Sequence, residues 1–289
     1  MHIRERSKNR EREKTVEINL YSLVCISLLV IMGVLLLLLS LHFVKRFIPA
    51  KSFEIIGEST YEPIDLARGS GIELGDRIFR IDTEAAEERL LVSCPYLESV
   101  NIKRTLFGKV KFEVECYEPV WYVEVSGDCY VLDRELRVLE ETADREGLYE
   151  RDLIYLTLPH LKNAIVGETV VFGNSDGEIE ETQKIMDIIL SSAAAEMICT
   201  ADIDNRYDVH FEFDKIVIFE SEEKFSYSEI DDFFTVNVGG YSKLATKLEY
   251  ITKAMLKEDL AGAIGGTVDV SEEGDKVSIR PKYASVENN

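Results

Sequence analysis

The side chains able to do chemistry are few and scattered along this chain of 289 residues. An enzyme needs reactive groups that converge in space. Beyond the apolar N-terminal stretch stand two histidines, His160 and His210. His210 lies in an alternating run where Val209, Phe211 and Phe213 take the opposite parity, so it reads as a solvent-facing strand residue. His160 follows Pro159 in a loop. No H-E-x-x-H occurs, and neither histidine reads as a metal ligand or catalytic base. Ser221, Glu222, Glu223 and Lys224 fit S-x-x-K, in which a lysine takes the serine proton. The K-T-G element of that chemistry is missing, and the segment reads as a charged loop. Asn174–Gly177 hints at a calcium loop, but EF-hand spacing would put the first ligand at Phe172 and the bidentate glutamate at Gln183. Gly69, Gly71 and Gly75 have the wrong spacing for a dinucleotide fingerprint and read as a glycine turn before a strand. No catalytic residue, metal site or cofactor is expected.

Cys94, Cys116, Cys129 and Cys199 follow the apolar stretch, and Cys25 lies inside it. An even number permits disulfides, but without C-x-x-C or zinc spacing these four are expected to be free and mostly buried thiols. The region after residue 46 is long enough to bury a core without staples.

The element that positions everything else is Leu20–Phe43, a run without a single charged side chain. Its 24 residues make a helix of roughly 36 Å, against a hydrocarbon core of about 30 Å. A cleaved signal has a shorter apolar core and a small-residue cleavage site, and Lys45–Ala50 offers no A-x-A. A permanent span over residues 20–44 is expected. Six cations precede it (Arg4, Arg6, Lys8, Arg10, Arg12, Lys14) and three follow it (Lys45, Arg46, Lys51), which places the N-terminus in the cytoplasm. Residues 1–19 read as a solvated cytoplasmic tail. Residues 1–46 hold 8 basic and 4 acidic side chains and the other 243 hold 25 and 50, a net of −25. Such an outer region should be soluble and repelled by anionic lipid, and it argues against nucleic acid.

Residues 51–119 read as one small unit. Ser52–Gly57 is a strand, Thr60–Arg68 a short helix with Pro63 near its first turn, and Asp82 the N-cap of a second helix ending before Pro95. Two strands follow. Val110, Phe112 and Val114 alternate with Lys111, Glu113 and Glu115, so one face is buried and one wet. The order is β-α-α-β-β.

The second unit, about 120–281, begins with strands Trp121–Val125 and Cys129–Leu132. Asp133 then leads through a turn to Val138–Leu139. Ser175 and Glu178 have capping-box spacing and open a helix with Ile179, Met186, Ile189 and Ala193 on one face. Tyr207–Phe213 and Lys215–Glu220 read as two strands. Leu244, Leu248, Ile251 and Met255 share a face of a second helix that Gly262 can end. Gly266–Ser271, the turn Glu272–Asp275 and Lys276–Arg280 read as a final hairpin stopped by Pro281, with residues 282–289 loose. The fold class is α+β: a transmembrane helix, a β-α-α-β-β domain and a larger β-rich domain with two helices.

The runs Phe53–Gly57 (FEIIG), Ile72–Gly75 (IELG), Ile78–Asp82 (IFRID), Cys94–Val100 (CPYLESV) with Lys103 and Arg104, and Val114–Val120 (VECYEPV) together resemble a POTRA domain. More narrowly, the layout resembles the FtsQ/DivIB family of bacterial division proteins. Two turns depart from that pattern. Arg134–Leu136 stands where the family usually shows a glycine, and Phe107–Gly108 replaces the proline between the last two POTRA strands. The resemblance implies a non-catalytic, single-span division protein at the septum. It would bind FtsL-like and FtsB/DivIC-like bitopic proteins outside the membrane and act indirectly on the septal peptidoglycan synthases. It implies a binding site on the terminal strand Lys276, Val277, Ser278, Ile279 and Arg280, where an edge leaves alternate N–H and C=O groups unpaired. A POTRA-bearing receptor or transport accessory, and a membrane-anchored wall enzyme, are the competing readings.

Overall fold

The computed structural model describes residues 20–45, 47–173, 177–221, 224–255, 260, 262–271, 274 and 276–284. The N-terminal tail, the Asn174–Asp176 loop with Ser175 of the capping box, most of the Glu272–Asp275 turn and the last five residues lie outside the described residues. Helix α1, Leu20–Lys45, opens the described chain. Its Tyr21–His42 stretch is long and apolar enough to cross a membrane, and none of it is buried by the rest of the protein.

The small unit follows in the expected order: β1 (Ser52–Ile56), α2 (Pro63–Ser70), α3 (Thr83–Ser93), β2 (Leu97–Arg104) and β3 (Lys109–Cys116). The sheet order is β1-β3-β2, with β1 parallel and β2 antiparallel to β3. Leu66, Ile78, Leu90, Val110 and Phe112 are fully buried between helices and sheet. Helix α2 starts at Pro63 rather than Thr60, because proline's fixed φ suits the first helical turn. Asp82 caps α3 as expected, accepting from the Ala85 N–H at 3.3 Å. Gly69 is not part of a turn but lies inside α2. A Cβ there would come within 2.9 Å of Ser93 Oγ and 3.1 Å of Leu90 Cδ2, so the glycine lets α2 and α3 approach.

The second unit contains β4 (Trp121–Val125), β5 (Asp128–Leu132), β6 (Val138–Thr142), α4 (Arg145–Tyr149), β7 (Ile154–Thr157), β8 (Leu161–Asn163), β9 (Val171–Phe172), α5 (Gly177–Ser191), β10 (Ile198–Asp202), β11 (Val209–Ser221), β12 (Lys224–Gly239), α6 (Leu244–Met255), β13 (Ala263–Val270) and β14 (Val277–Tyr283). Nine of these strands form one sheet in the order β14-β13-β12-β11-β10-β7-β4-β5-β6, and β8 pairs with β9. Trp121, Phe211, Phe213 and Phe234 are fully buried in the main core, together with Met186 and Ile189 of α5 and Leu244, Leu248, Ile251 and Met255 of α6. On the opposite face Tyr122, Cys129, Val131, Leu148 and Leu153 form a smaller cluster under α4. All five described cysteines are free.

Three expectations are corrected here. Ala193 does not share the α5 face: the helix ends at Ser191, and Ala193 is exposed while Ala194 is buried. The strands read as Tyr207–Phe213 and Lys215–Glu220 are one strand, β11, whose register with β12 shifts between Phe213 and Lys215. Asp214 sits at that shift and accepts from the Tyr149 hydroxyl at 3.1 Å. Gly262, expected to end the second helix, has φ +80° just before β13, and residues 256–259 between Met255 and Leu260 lie outside the described residues. Finally, β14 runs through Pro281 to Tyr283, so Lys282 and Tyr283 are strand residues, not a loose tail.

The turn after β5 replaces glycine by a different device. Leu136 adopts φ +65° yet is fully buried, so core packing holds a leucine in left-handed backbone. Asp133 pins the turn: its Oδ1 accepts from the Glu135 and Arg137 N–H groups, both at 2.8 Å. Burial leaves Asp133 only 4% exposed and pushes its carboxyl above the ordinary carboxylate range despite those two bonds. The folded chain therefore holds this proton more tightly than the unfolded chain. The carboxyl's favourable contribution is complete at low pH and is lost as pH rises through the raised value. Asp133→Asn keeps the acceptor and removes the desolvated charge. It should raise the unfolding free energy by about 1 kcal/mol at neutral pH and have no such effect once both states are protonated. Urea unfolding of the two proteins at neutral and acidic pH checks this.

Candidate partner-binding edge

The terminal hairpin forms because β13 and β14 alternate apolar and polar side chains over a turn anchored at both ends. The Ser271 N–H donates to the Lys276 carbonyl at 3.0 Å, and the Gly274 N–H donates to the Ser271 carbonyl at 2.9 Å. Beneath the turn lies Lys247, 1% exposed, whose Nζ donates to the carbonyls of Val238 at 2.9 Å and Gly240 at 2.7 Å. Its stem passes so close to Gly274 that a Cβ there would lie 3.0 Å from Lys247 Cγ.

β14 has one neighbour, β13, and forms the edge of the nine-stranded sheet. The register pairs Val270 with Val277, Asp269 with Ser278, Val268 with Ile279, Thr267 with Arg280 and Gly266 with Pro281. The Ser271-to-Lys276 bond sets the antiparallel alternation. Ser278 and Arg280 direct their backbone polar groups at β13. Val277, Ile279 and Pro281 direct theirs away from the sheet. Pro281 is thus tolerated because its missing N–H falls on the outward side, where an edge strand needs no donor.

The side chains divide by face. Val277 and Ile279 pack against the main core, while Ser278 and Arg280 are exposed on the other side. There a polar chain crosses four strands. His210 Nδ1 lies 3.0 Å from Asn237 Oδ1, Asn237 Nδ2 donates to Asp269 Oδ1 at 2.7 Å, and Arg280 Nη2 pairs with Asp269 Oδ2 at 2.7 Å. Lys282 Nζ reaches Asp232 Oδ2 on β12 at 2.6 Å, and this bond holds the Asp232 carboxyl below its ordinary range. Of the five residues expected at the site, Val277–Arg280 lie in β14 and Lys276 immediately precedes it.

His160, His210 and the Ser221–Lys224 pair lie on three separate segments. Ser221 and Lys224 are cross-strand partners at the tip of the β11–β12 hairpin. His210 is half-buried and lies between Asn237 and Asp208, while His160 is exposed in its loop. Among the described residues no group of three His, Cys, Asp or Glu side chains could hold a metal ion. A cleft between the two units is lined by Glu98, Glu118, Asp152, Cys199, Asp214 and Lys215, among others. Burial pushes the Cys199 thiol up to about 12, so it is protonated at neutral pH and is no activated nucleophile. Sequence reasoning did not find the Asn237–Asp269–Arg280 chain, because its members lie on three strands and no local spacing relates them.

A single membrane-spanning helix, a β-α-α-β-β unit and a β-rich unit with an open terminal edge define a membrane-anchored protein of the POTRA class. Residues 48–115 match the model of the FtsQ-type POTRA domain. The chain is 23% identical over 231 residues to the cell division protein DivIB of Clostridium botulinum, covering 78% of this chain and 80% of that protein. It is 21% identical over 244 residues to the DivIB of Clostridium tetani, covering 83% of each. To the cell division protein FtsQ of Corynebacterium glutamicum it is 28% identical over 110 residues, covering 37% of this chain and 49% of that protein. The chain thus carries an FtsQ-type POTRA domain and is similar over most of its length to cell division proteins named DivIB.

The edge depends on Gly266. Its φ is +153°, and a Cβ there would lie 2.3 Å from the Arg280 carbonyl oxygen and 2.8 Å from the Phe234 ring. Gly266→Ala should force β14 away from β13 at a cost of about 1–3 kcal/mol. The Ser278 and Arg280 amides should then exchange hydrogen faster while those of β10 and β11 are unchanged. Hydrogen-exchange mass spectrometry measures both.

Proposed function

We propose that this chain is a non-catalytic scaffold of the bacterial division machinery. It sits in the cell membrane with its N-terminus in the cytoplasm and its two folded units outside, and it gathers at the division septum. There it binds FtsL-like and FtsB/DivIC-like bitopic proteins and so helps regulate the septal peptidoglycan synthases. The contribution is binding free energy and geometry rather than bond-making. Anchoring of all partners in one membrane raises their effective concentration, so modest pairwise affinities suffice.

The observation that carries this reading is the outward alternation of β14. The Val277 and Ile279 N–H groups point away from the sheet while their side chains remain seated on its core. A partner strand added there gains backbone hydrogen bonds without disturbing the hairpin. The family relatives, named as cell division proteins, support the setting.

Adjacent proline substitutions test the site. Val277→Pro removes an outward donor, so it should weaken capture of a co-expressed FtsB/DivIC-like partner at least tenfold, about 1.4 kcal/mol, and leave the melting temperature near that of the parent. Ser278→Pro removes a donor that faces β13 and should lower the melting temperature instead. Undiminished capture by a folded Val277→Pro protein in a detergent pulldown would show that the partner binds elsewhere.

A further inference from the structure

The exposed apolar side chains of the POTRA unit include a group gathered behind the membrane span. Three segments meet there. The Ile48 carbonyl accepts from the Ile78 N–H at 3.1 Å, and Ala50 exchanges bonds with Asp76 and Gly75 at 2.7 and 2.8 Å. The Lys51 N–H donates to the Gly108 carbonyl at 2.7 Å. The loop carrying Leu74 and the β2–β3 turn are thus both pinned to the few residues that follow α1.

The β2–β3 turn is closed by the Gly108 N–H to the Thr105 carbonyl at 3.2 Å and by Thr105 Oγ1 to the Lys109 carbonyl at 3.1 Å. Closure fixes its tip, where Leu106 is 56% and Phe107 84% exposed; Leu74 on the adjacent loop is 60% exposed. Neither tip residue belongs to the domain core. Three exposed cations stand around them. Lys51 lies beside the turn, Arg77 stacks 5.3 Å over the Phe47 ring, and Arg104 donates to the Ile81 carbonyl at 3.0 Å. Glu73, Asp76 and Asp82 flank these segments, so this end is close to neutral on an outer region whose net charge is −25.

Chain reach places this end at the bilayer. Phe47 is two residues beyond the last residue of α1, at most about 7 Å away. The headgroup layer on each side of the hydrocarbon core is about 5–7 Å thick. We infer that the rim formed by Leu74, Leu106 and Phe107 seats in the headgroup layer of the membrane that α1 crosses, with Lys51, Arg77 and Arg104 facing lipid phosphates. Apolar tips flanked by Lys and Arg suit an interface where one end of a group is greasy and the other wet. The repulsion from anionic lipid expected of the whole outer region does not govern this end.

The chain's single tryptophan, Trp121, is fully buried in the second unit, so its emission is a constant background that the parent protein subtracts. The full chain carrying Phe107→Trp is reconstituted into phosphatidylethanolamine–phosphatidylglycerol vesicles whose acyl chains are brominated near the headgroup. The comparison is Val92→Trp, at an equally exposed site (85%) near the other end of α3, about 15 Å along the helix. Phe107→Trp should show blue-shifted emission, and brominated lipid should quench its added signal about twofold. Val92→Trp should behave as a water-exposed indole. If Phe107→Trp is quenched no more than Val92→Trp, the rim does not touch lipid and belongs to a protein partner. Strong quenching of both overturns the inference as well, since the domain would then lie on the bilayer by another surface.

Discussion

Tyr96 is the joint on which the position of the second unit depends. Its hydroxyl donates to Glu140 Oε2 at 2.6 Å and accepts from Arg151 Nη2 at 2.9 Å, while Arg151 and Glu140 pair directly at 3.0 Å. Tyr96 belongs to the POTRA unit, Glu140 to β6 of the second unit and Arg151 to the turn that follows α4. The tyrosine is 6% exposed, and burial, reinforced by the bond to Glu140, pushes its hydroxyl to about 12. Charged hydrogen bonds that are partly shielded from water are worth more than exposed ion pairs. The connection is short, since only Tyr117–Val120 separate β3 from β4. Arg137 stacks 5.2 Å over Tyr117 at the same place. Whatever orientation the membrane imposes on the first unit is passed through this joint to β14.

The strongly local elements were legible in the sequence. The charge-free run of α1, the period of two in Val110–Val114 and the i, i+4, i+7, i+11 spacing of Leu244–Met255 each reflect one physical rule acting over neighbouring residues. What escaped reading was set by distant partners. β12 is the sheet's longest strand, yet its Ser226–Asp232 segment (SYSEIDD) is too polar to announce it. Its pairing with β11 and β13 holds it extended. β11 read as two strands because Asp214 interrupts the alternation, and only β12 carries it across the break. Gly69 looked like punctuation because the helix that needs its small size, α3, is elsewhere in the chain. Leu136 shows the converse: a residue type that argues against left-handed backbone is held there by core burial and by Asp133.

The candidate site divides in the same way. That the last hairpin ends the sheet could be suspected from its order in the chain. Which amides face outward could not, because the alternation is set by the single register pairing Ser271 with Lys276. The polar chain from His210 to Arg280 likewise exists only once four strands are aligned. It secures the outermost strand to the sheet interior on the face opposite the core, so β14 is held by apolar contacts on one side and by charge on the other. Lys247 adds a third support from beneath the turn. An edge strand supported in this way would need little further ordering if the proposed partner strand is added to it.

Pro281 gives that surface a length. On the outward side of β14, Val277 and Ile279 offer donors and the next position offers none. A second chain can lie alongside for a few residues and then finds no further ladder. An open strand edge is a hazard in a crowded cell, since identical edges can zip together into fibrils. A proline set at this position makes the edge a poor template for unlimited stacking.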